Sequence, residues 1–351
     1  MNRRIEIGGI AEFGDSSPFC IFVPDWLSKT SSVNTTRSQV RFLSSTRTGR
    51  TLAIAADAEL HNKLDLASAL GQPSLATSSD EELLIAAYSK WNEGCVKYLA
   101  GDYSFAIWDD SRKHLFCCRD HLGSRPFYYL WKASKFFFAT DPRSIFEISG
   151  TAPELNRRKL ADMAVFFSDC NYPEETLHSG IVGLPAATWL LVNERGIRQH
   201  TYWTPEILPD LVPPRPEDAF EALHHILSQS VENRIGDSRR VAVYFSGGLD
   251  SSALAALAAT SLARGNHRLH ALSSVLPTSH SPKLTDEREF IDEFRAWPNI
   301  DIEYISAPGR GPFDGIEDAA RFALTPFVTS RTYLYDALEH GATADGDEVV
   351  L

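Results

Sequence analysis

Residues 240–264 read RVAVYFSGGLDSSALAALAATSLAR, and this stretch decides the fold of the half of the chain that carries it. Arg240 to Phe245 is a short, unbroken apolar run, as expected of a strand buried on both faces. Ser252 to Arg264 is alanine-rich and reads as a helix, which Gly265 stops. Between them lies a glycine–serine loop, Ser246-Gly247-Gly248-Leu249-Asp250-Ser251-Ser252. Its two glycines let the backbone turn tightly and approach an anion closely. The following helix aims free N–H groups and the positive end of its dipole at the loop. Ser246, Ser251 and Ser252 add hydroxyl donors. Asp250 does not suit a bare anion site. It does suit one in which Mg²⁺ is shared between a carboxylate and phosphate oxygens. A lone SGG would favour a glycine turn with a serine helix cap. The full SGGxDSS pattern in a strand–loop–helix setting favours pyrophosphate. No GxxxxGK[ST] run is present and no Lys follows the loop to hold a γ-phosphate. The expected chemistry is therefore at an α-phosphate, with pyrophosphate leaving.

Outward from this loop, helix and strand patterns alternate. Glu217 to Arg234 reads as a helix, Leu269 to Leu276 as a second strand, Asp286 to Trp297 as an acidic amphipathic helix and Asp301 to Ser306 as a third strand. Apolar strands alternating with helices argue for a parallel sheet covered on both faces. Upstream, Pro205 to Pro216 holds five prolines in twelve residues, which neither a helix nor a central strand can continue through. The expected organisation is a domain over 1–204, a linker over 205–216 and a second domain over 217–351.

The first domain is strand-rich. Thr51 to Ala56 reads as a strand with Asp57 at its exit. Asp80 to Trp91 reads as a helix capped by Ser79, with Leu83, Leu84, Ala87 and Tyr88 on one face. Tyr103 to Trp108 and His114 to Cys118 flank the turn Asp109 to Arg112. Phe127 to Trp131, Lys135 to Thr140 and Trp189 to Asn193 follow as further strands. Many strands with few helices between them suggest antiparallel layers.

Composition bounds the function. The chain of 351 residues carries 34 basic and 46 acidic side chains, a net charge of −12, so a nucleic-acid-coating protein is not expected. At 43% apolar residues both domains have enough material for a core. No apolar run reaches the roughly 20 residues a membrane span needs, and no apolar segment follows the charged start Met1 to Glu6. The five cysteines, Cys20, Cys95, Cys117, Cys118 and Cys170, include no CxxC pair and read as free thiols in a reducing cytoplasm. No histidine spacing suggests a metal site; His224 and His225 are adjacent and do not share a helix face.

SGGLDSS resembles the signature of the PP-loop ATP pyrophosphatases, and the upstream blocks narrow the likeness. Gly101 to Asp109 (GDYSFAIWD) resembles the GDFAFAxWD block of asparagine synthetases. Arg119 to Tyr129 (RDHLGSRPFYY) resembles their RDxxGxxPLYY block, and Gly183-Leu184-Pro185 through Val192, then Tyr202-Trp203, the segment closing their amidotransferase domain. The chain is thus identified as a member of the asparagine synthetase family, with the blocks in family order along nearly its whole length. The resemblance implies an N-terminal α+β four-layer (αββα) amidotransferase-like domain of the Ntn-hydrolase type, followed by an α/β PP-loop domain with a parallel sheet. It implies ATP and Mg²⁺ as cofactors. A carboxylate is activated as acyl-AMP with release of pyrophosphate, and an amine then forms the amide. By position, Ser246, Gly247, Gly248, Leu249, Asp250, Ser251 and Ser252 would bind the ATP phosphates, with Asp250 on the metal. Phe245 and Ser274 match positions whose backbone meets adenosine.

Two departures from the family pattern shape the expectation. Glutamine-hydrolysing members expose a cysteine as residue 1 of the mature chain, its thiol the nucleophile and its α-amine the base. Here Ile7 to Ala11 aligns with the family's MCGIA start, which puts Gly8 in the place of the cysteine. The family's NGEIYN oxyanion segment becomes Asp57 to Asn62 (DAELHN), which sets a carboxylate against the developing oxyanion. An inactive glutaminase is expected, and another amine source is needed. β-Lactam synthetases and lasso-peptide cyclases, similar to asparagine synthetase, use an amine on the substrate itself. The run Asp286 to Asp292 (DEREFID) looks more like the cyclases, although an ordinary acidic helix face reads equally well. The leading expectation is ATP-dependent intramolecular amide formation of the lasso-cyclase kind. The alternatives are an asparagine synthetase using glutamine or free ammonia, or an inactive pseudoenzyme or binding module. Expected partners are a carboxylate and an amine substrate, such as a precursor peptide, with a second copy of the chain or a protease or leader-binding protein as further candidates. Secondly, Glu348 to Leu351 starts the strand of the family's VxLxGxGGDE loop and goes no further, so the chain reads as the front part of a longer protein.

Overall fold

A computed structural model of the chain describes residues 7–12, 19–22, 41–45, 50–166, 174–206, 215–277, 286–317 and 331–351. The chain divides into two compact units, Arg4–Glu206 and Ile207–Leu351, the latter together with Met1–Arg3. Residues 207–214 of the proline-rich linker lie outside the described residues, as do Met1, Asn2 and Cys170.

The first unit holds β1 (Gly8–Glu12), β2 (Phe19–Phe22), β3 (Arg41–Ser45), β4 (Arg50–Leu60), α1 (Lys63–Leu70), α2 (Asp80–Trp91), β5 (Gly101–Asp109), β6 (His114–Arg119), β7 (Tyr128–Lys132), β8 (Lys135–Ala139), α3 (Pro142–Ser149), α4 (Arg157–Phe166), β9 (Val182–Gly183), β10 (Thr188–Asn193) and β11 (Gly196–Thr201). The strands form two antiparallel sheets, ordered β2-β1-β8-β7-β9 and β11-β10-β6-β5-β4-β3. Strand alternation assigns the faces. Ala53, Ala55, Ala106, Trp108, Leu115 and Cys117 from one sheet pack against Phe136 and Phe138 from the other. Their neighbours Leu52, Ile54, Tyr103, Phe105 and Phe116 point the opposite way, onto Leu83, Leu84, Ala87 and Tyr88 of α2. On the far side Phe137 and Ala139 pack with Ile145 of α3. Helix, sheet, sheet and helix give the four-layer αββα architecture. Both faces of both sheets are covered, which is why β5 and β8 read as continuous apolar runs. The helix Asp80–Trp91 has a complete capping box: Ser79 Oγ accepts from the Glu82 N–H while the Glu82 carboxylate accepts from the Ser79 N–H.

The second unit holds α5 (Pro216–Ile235), β12 (Val241–Tyr244), α6 (Leu249–Ala263), β13 (Leu269–Ser274), α7 (Arg288–Asp292), β14 (Ile300–Ile305), α8 (Thr332–Asp345) and β15 (Val349–Val350). Its sheet is parallel, in the order β14-β13-β12-β15. Val241, Val243, Leu269 and Ala271 pack on α5 and α6 through Val231, Ala255 and Ala259. Ala242 and Leu272 pack on α8 through Leu338 and Ala342.

Three boundaries differ from the sequence expectation. Asp57 does not leave a strand but lies inside β4, because β5 pairs with β4 from Leu52 to Leu60. Helix α6 begins at Leu249, so Asp250, Ser251 and Ser252 form its first turn. The helix expected over Asp286–Trp297 is α only at Arg288–Asp292 and continues as a 3₁₀ turn over Glu293–Ala296. Among the described residues no helix is long and apolar enough to cross a membrane.

Candidate functional site

Strand order places the glycine–serine loop. From β12 the chain moves to β13 and β14 on one side, while β15 returns to the other side. A parallel sheet opens a crevice at the carboxyl ends of its strands where the order reverses, and the loop leaves the carboxyl end of β12 at that point. Gly247 has φ +75°, and Gly248 is extended at φ −72°, ψ 166° as the residue capping α6. The first intrahelical bond runs from Ser252 N–H to the Gly248 carbonyl at 3.0 Å, so the N–H groups of the turn before it have no acceptor within the helix.

The serines organise one another. Ser246 and Ser251 hydroxyls lie 3.0 Å apart, the Gly248 N–H donates to Ser246 Oγ at 3.3 Å, and Ser251 Oγ donates to the Gly248 carbonyl at 3.2 Å. Ser252 Oγ is buried and has no hydrogen-bond partner among the described residues. Asp250 is exposed, and Leu249 is 91% exposed. Phe245 is buried, its N–H bonded to the Leu272 carbonyl at 2.9 Å and its ring edge-on to Phe294. Ser274 is exposed at the carboxyl end of β13, beside β12. All the sequence-assigned positions of this loop therefore gather at one edge of the sheet.

The acidic run after β13 serves the frame of this edge. Asp286 accepts from the Leu276 N–H at 3.0 Å and pairs with Arg288 at 2.6 Å, and Arg288 donates to the Leu276 carbonyl. Asp292 accepts from the Tyr304 hydroxyl, whose ring lies under both Arg288 and Arg295.

In the first unit, Gly8 is a buried residue of β1, paired with Phe22 and Ala139. Ile7 precedes it in extended chain, its N–H donating to Thr140 Oγ1 at 3.1 Å and its carbonyl accepting from the Thr140 N–H at 2.9 Å. Sequence reading missed what faces Asp57. Arg125 Nη1 lies 3.5 Å from Asp57 Oδ1, and Nη2 donates to Glu59 Oε2 at 3.1 Å. Arg125 sits inside the RDHLGSRP block, at a position that spacing alone leaves unassigned. The two residues opening that block are its organisers. Asp120 accepts from the N–H groups of Tyr103, Leu122, Ser124 and Arg125. Arg119 donates to the carbonyls of Arg125, Leu184 and Gly123, each at 2.6 Å. Cys95, Cys117 and Cys118 are buried free thiols, and burial pushes their pKa values up, away from nucleophilic use.

Residues 37–203 match the model of the glutamine amidotransferase domain, and residues 222–351 match that of asparagine synthase. The chain belongs to the asparagine synthetase family. Asparagine synthetase [glutamine-hydrolyzing] 3 of Bacillus subtilis is 30% identical over 213 residues, which is 60% of this chain and 34% of that protein. Putative asparagine synthetase [glutamine-hydrolyzing] 2 of Methanocaldococcus jannaschii is 29% identical over 57% of this chain and 39% of its own length. Amidase chry2 of Gibberella zeae is 32% identical over 58% of this chain and 30% of its own length. The chain thus matches between 30% and 39% of the length of these relatives.

Proposed function

We propose that this member of the asparagine synthetase family is an ATP-dependent, amide-bond-forming ligase that activates a carboxylate as acyl-AMP and releases pyrophosphate. The observation that carries the reading is the Ser246–Ser252 loop, which joins the carboxyl end of β12 to the amino end of α6 at the point where strand order reverses. The α6 amino end and the loop N–H groups favour negative charge there. The buried Ser252 hydroxyl supplies hydrogen-bonding capacity that a phosphate oxygen would use. Asp250, exposed in the first turn, is a hard oxygen donor suited to Mg²⁺, which would neutralise charge developing on the phosphates. Phe245 and Ser274, on adjacent strand ends, are positioned to meet the nucleoside.

The first unit supports an amine source other than hydrolysed glutamine. Gly8 has no side-chain nucleophile, and its nitrogen is a peptide nitrogen following Ile7 within the sheet. Asp57 stands where the family places its oxyanion donor. An amine on the substrate itself, as in the lasso-peptide cyclases, then completes the reaction intramolecularly. The names of the bacterial and archaeal relatives, both glutamine-hydrolysing asparagine synthetases, favour a second reading, asparagine synthesis, for which the altered first unit points to free ammonia as the amine source.

The test is ATP–pyrophosphate exchange with the full-length protein, with and without Mg²⁺ and a panel of carboxylates. Exchange that requires both and is lost in Asp250→Asn, with AMP released once an amine takes the acyl group, is the expected result. Exchange independent of Asp250, or release of ADP and phosphate, overturns the adenylation reading. Release of glutamate from glutamine overturns the proposed amine source. Aspartate-dependent exchange with asparagine as product selects the second reading.

A further inference from the structure

At the end of the parallel sheet remote from the phosphate loop, four side chains from four chain segments converge. His270 is the second residue of β13. Glu303 stands on the neighbouring β14, Asp345 ends α8, and Asp347 lies in the turn before β15. His270 is four residues before Ser274, so at roughly 3.3 Å per residue the cluster lies about 13 Å along the strand from the proposed nucleotide edge. It plays no part in the ligase reading.

The geometry orders the imidazole. Asp347, whose side chain is 4% exposed, lies 2.8 Å from His270 Nδ1 through Oδ2. A carboxylate buried against one ring nitrogen holds the proton there and turns the other nitrogen outward as a lone-pair donor, an arrangement common around metal-bound histidines. The outward nitrogen, Nε2, is 2.9 Å from Glu303 Oε2 and 3.5 Å from Asp345 Oδ2, and these three ligand atoms lie within 4.8 Å of one another. Nε2 facing two carboxylates requires positive charge between them, from a second ring proton or from a bound cation. The two neighbouring arginines are engaged otherwise. Arg240 approaches the main-chain carbonyl of Asp345, and Arg268 is paired with Asp301.

The distances fit a small divalent ion. With metal–ligand bonds of about 2.0–2.2 Å in a tetrahedron, the edges between ligand atoms are about 3.3–3.6 Å. Of the two nitrogen–oxygen separations, 3.5 Å falls within that range, and the shorter one, 2.9 Å, needs the Glu303 carboxylate to swing outward by a few tenths of an ångström to take an ion. Glu303 and Asp345 are 45% and 63% exposed, so an ion can enter and a water can take the fourth position. One imidazole with two carboxylates suits zinc or cobalt(II), whereas Mg²⁺ and Ca²⁺ favour oxygen-only sets.

We propose that His270, Glu303 and Asp345 bind a divalent transition-metal ion, with Asp347 orienting the imidazole. The site clips α8 and the connection to β15 onto β13 and β14. Edge strand β15 pairs with β12 through Val349 and Val350, and the clip fixes its approach.

The full chain is titrated with Co²⁺ without nucleotide, reading the visible ligand-field absorption, and with Zn²⁺ by calorimetry and thermal melting. The expected result is one saturable site with tetrahedral Co²⁺ bands, displaced by Zn²⁺ but not by excess Mg²⁺, and a rise in Tm. Glu303→Gln, a partly exposed change, removes the bands. Asp347→Asn weakens affinity about 10- to 100-fold while keeping the band shape, since it alters ring orientation and not the ligand set. Absence of saturable Co²⁺ binding overturns the proposal and leaves an imidazolium held by carboxylates. Co²⁺ binding indifferent to both Glu303→Gln and His270→Gln overturns it equally, because the ion then sits elsewhere.

Discussion

A Cβ placed on Gly247 would lie 3.1 Å from the amide nitrogen of Ile291 and 3.0 Å from Phe290 Cβ. The glycine–serine loop is therefore seated directly against α7, and the second glycine-dependent constraint is the φ of +75° at Gly247. Gly247 is needed here for packing and backbone sign together.

Gly247→Ala should accordingly destabilise the second unit by about 1–2 kcal/mol from the left-handed backbone alone, with the α7 clash added. Nucleotide affinity should fall further than stability does, because either relief of the clash moves the loop. Fluorescent ATP-analogue binding beside urea melts reads both. A variant with unchanged nucleotide affinity would show that the loop does not hold the phosphates.

The ion pair between Arg125 and Asp57 is nearly closed to solvent, with side-chain exposures of 7% and 2%. Arg125→Met leaves the Asp57 charge buried and should cost about 3–5 kcal/mol. Arg125→Met combined with Asp57→Asn removes both charges and should recover most of that loss. Denaturant melts of the two variants separate an electrostatic role from simple packing.

His114 is buried with Nε2 2.7 Å from the Tyr88 hydroxyl. Burial pushes the Tyr88 pKa up, so the phenol keeps its proton and is able to donate it to the imidazole. Burial, aided by Arg112, holds the His114 pKa below its ordinary 6.5. Unfolded chains then bind more protons than folded ones as pH drops through 6.5, so this contribution is full above 6.5 and is lost as pH falls through the lower folded value. Stability measured at pH 7.5 and 5 should show a drop that shrinks in His114→Asn. Tyr88→Phe should cost about 1–3 kcal/mol at pH 7.5 by stranding the imidazole nitrogen.

Gly101 opens β5 with φ +144°, and a Cβ there would clash with the Glu59 carbonyl. Gly101→Ala should destabilise the first unit by at least about 1–3 kcal/mol, as overpacking against backbone does. Thermal melts should show the loss, while Asp102→Asn, one residue on, should not reproduce its backbone component.

Much of this protein was legible along the chain. Alternation of apolar runs with Gly, Pro and Ser breaks located the strands β5, β6, β8 and β10 to within a residue or two, and Ser79 with Glu82 marked the start of α2, since these signals are local. SGGLDSS marked the tight turn from β12 into α6, because glycine permits the positive φ that Gly247 adopts there. Local reading failed where long-range pairing decided. Asp57 belongs inside β4 because β5 extends the ladder past it. The run Asp286–Trp297 breaks into α7 and a 3₁₀ turn as Asp286 ties to Leu276 and Asp292 to Tyr304. Arg125 against Asp57 is separated by 68 positions, and His270 against Glu303, Asp345 and Asp347 by 33 to 77, spacings that no motif encodes. Sequence by itself determined which segments become strands, helices and the glycine–serine turn between β12 and α6. Only the tertiary structure decided which charges meet, because burial and the folding together of distant segments determine whether a carboxylate stands in water, beside an arginine or around a histidine nitrogen.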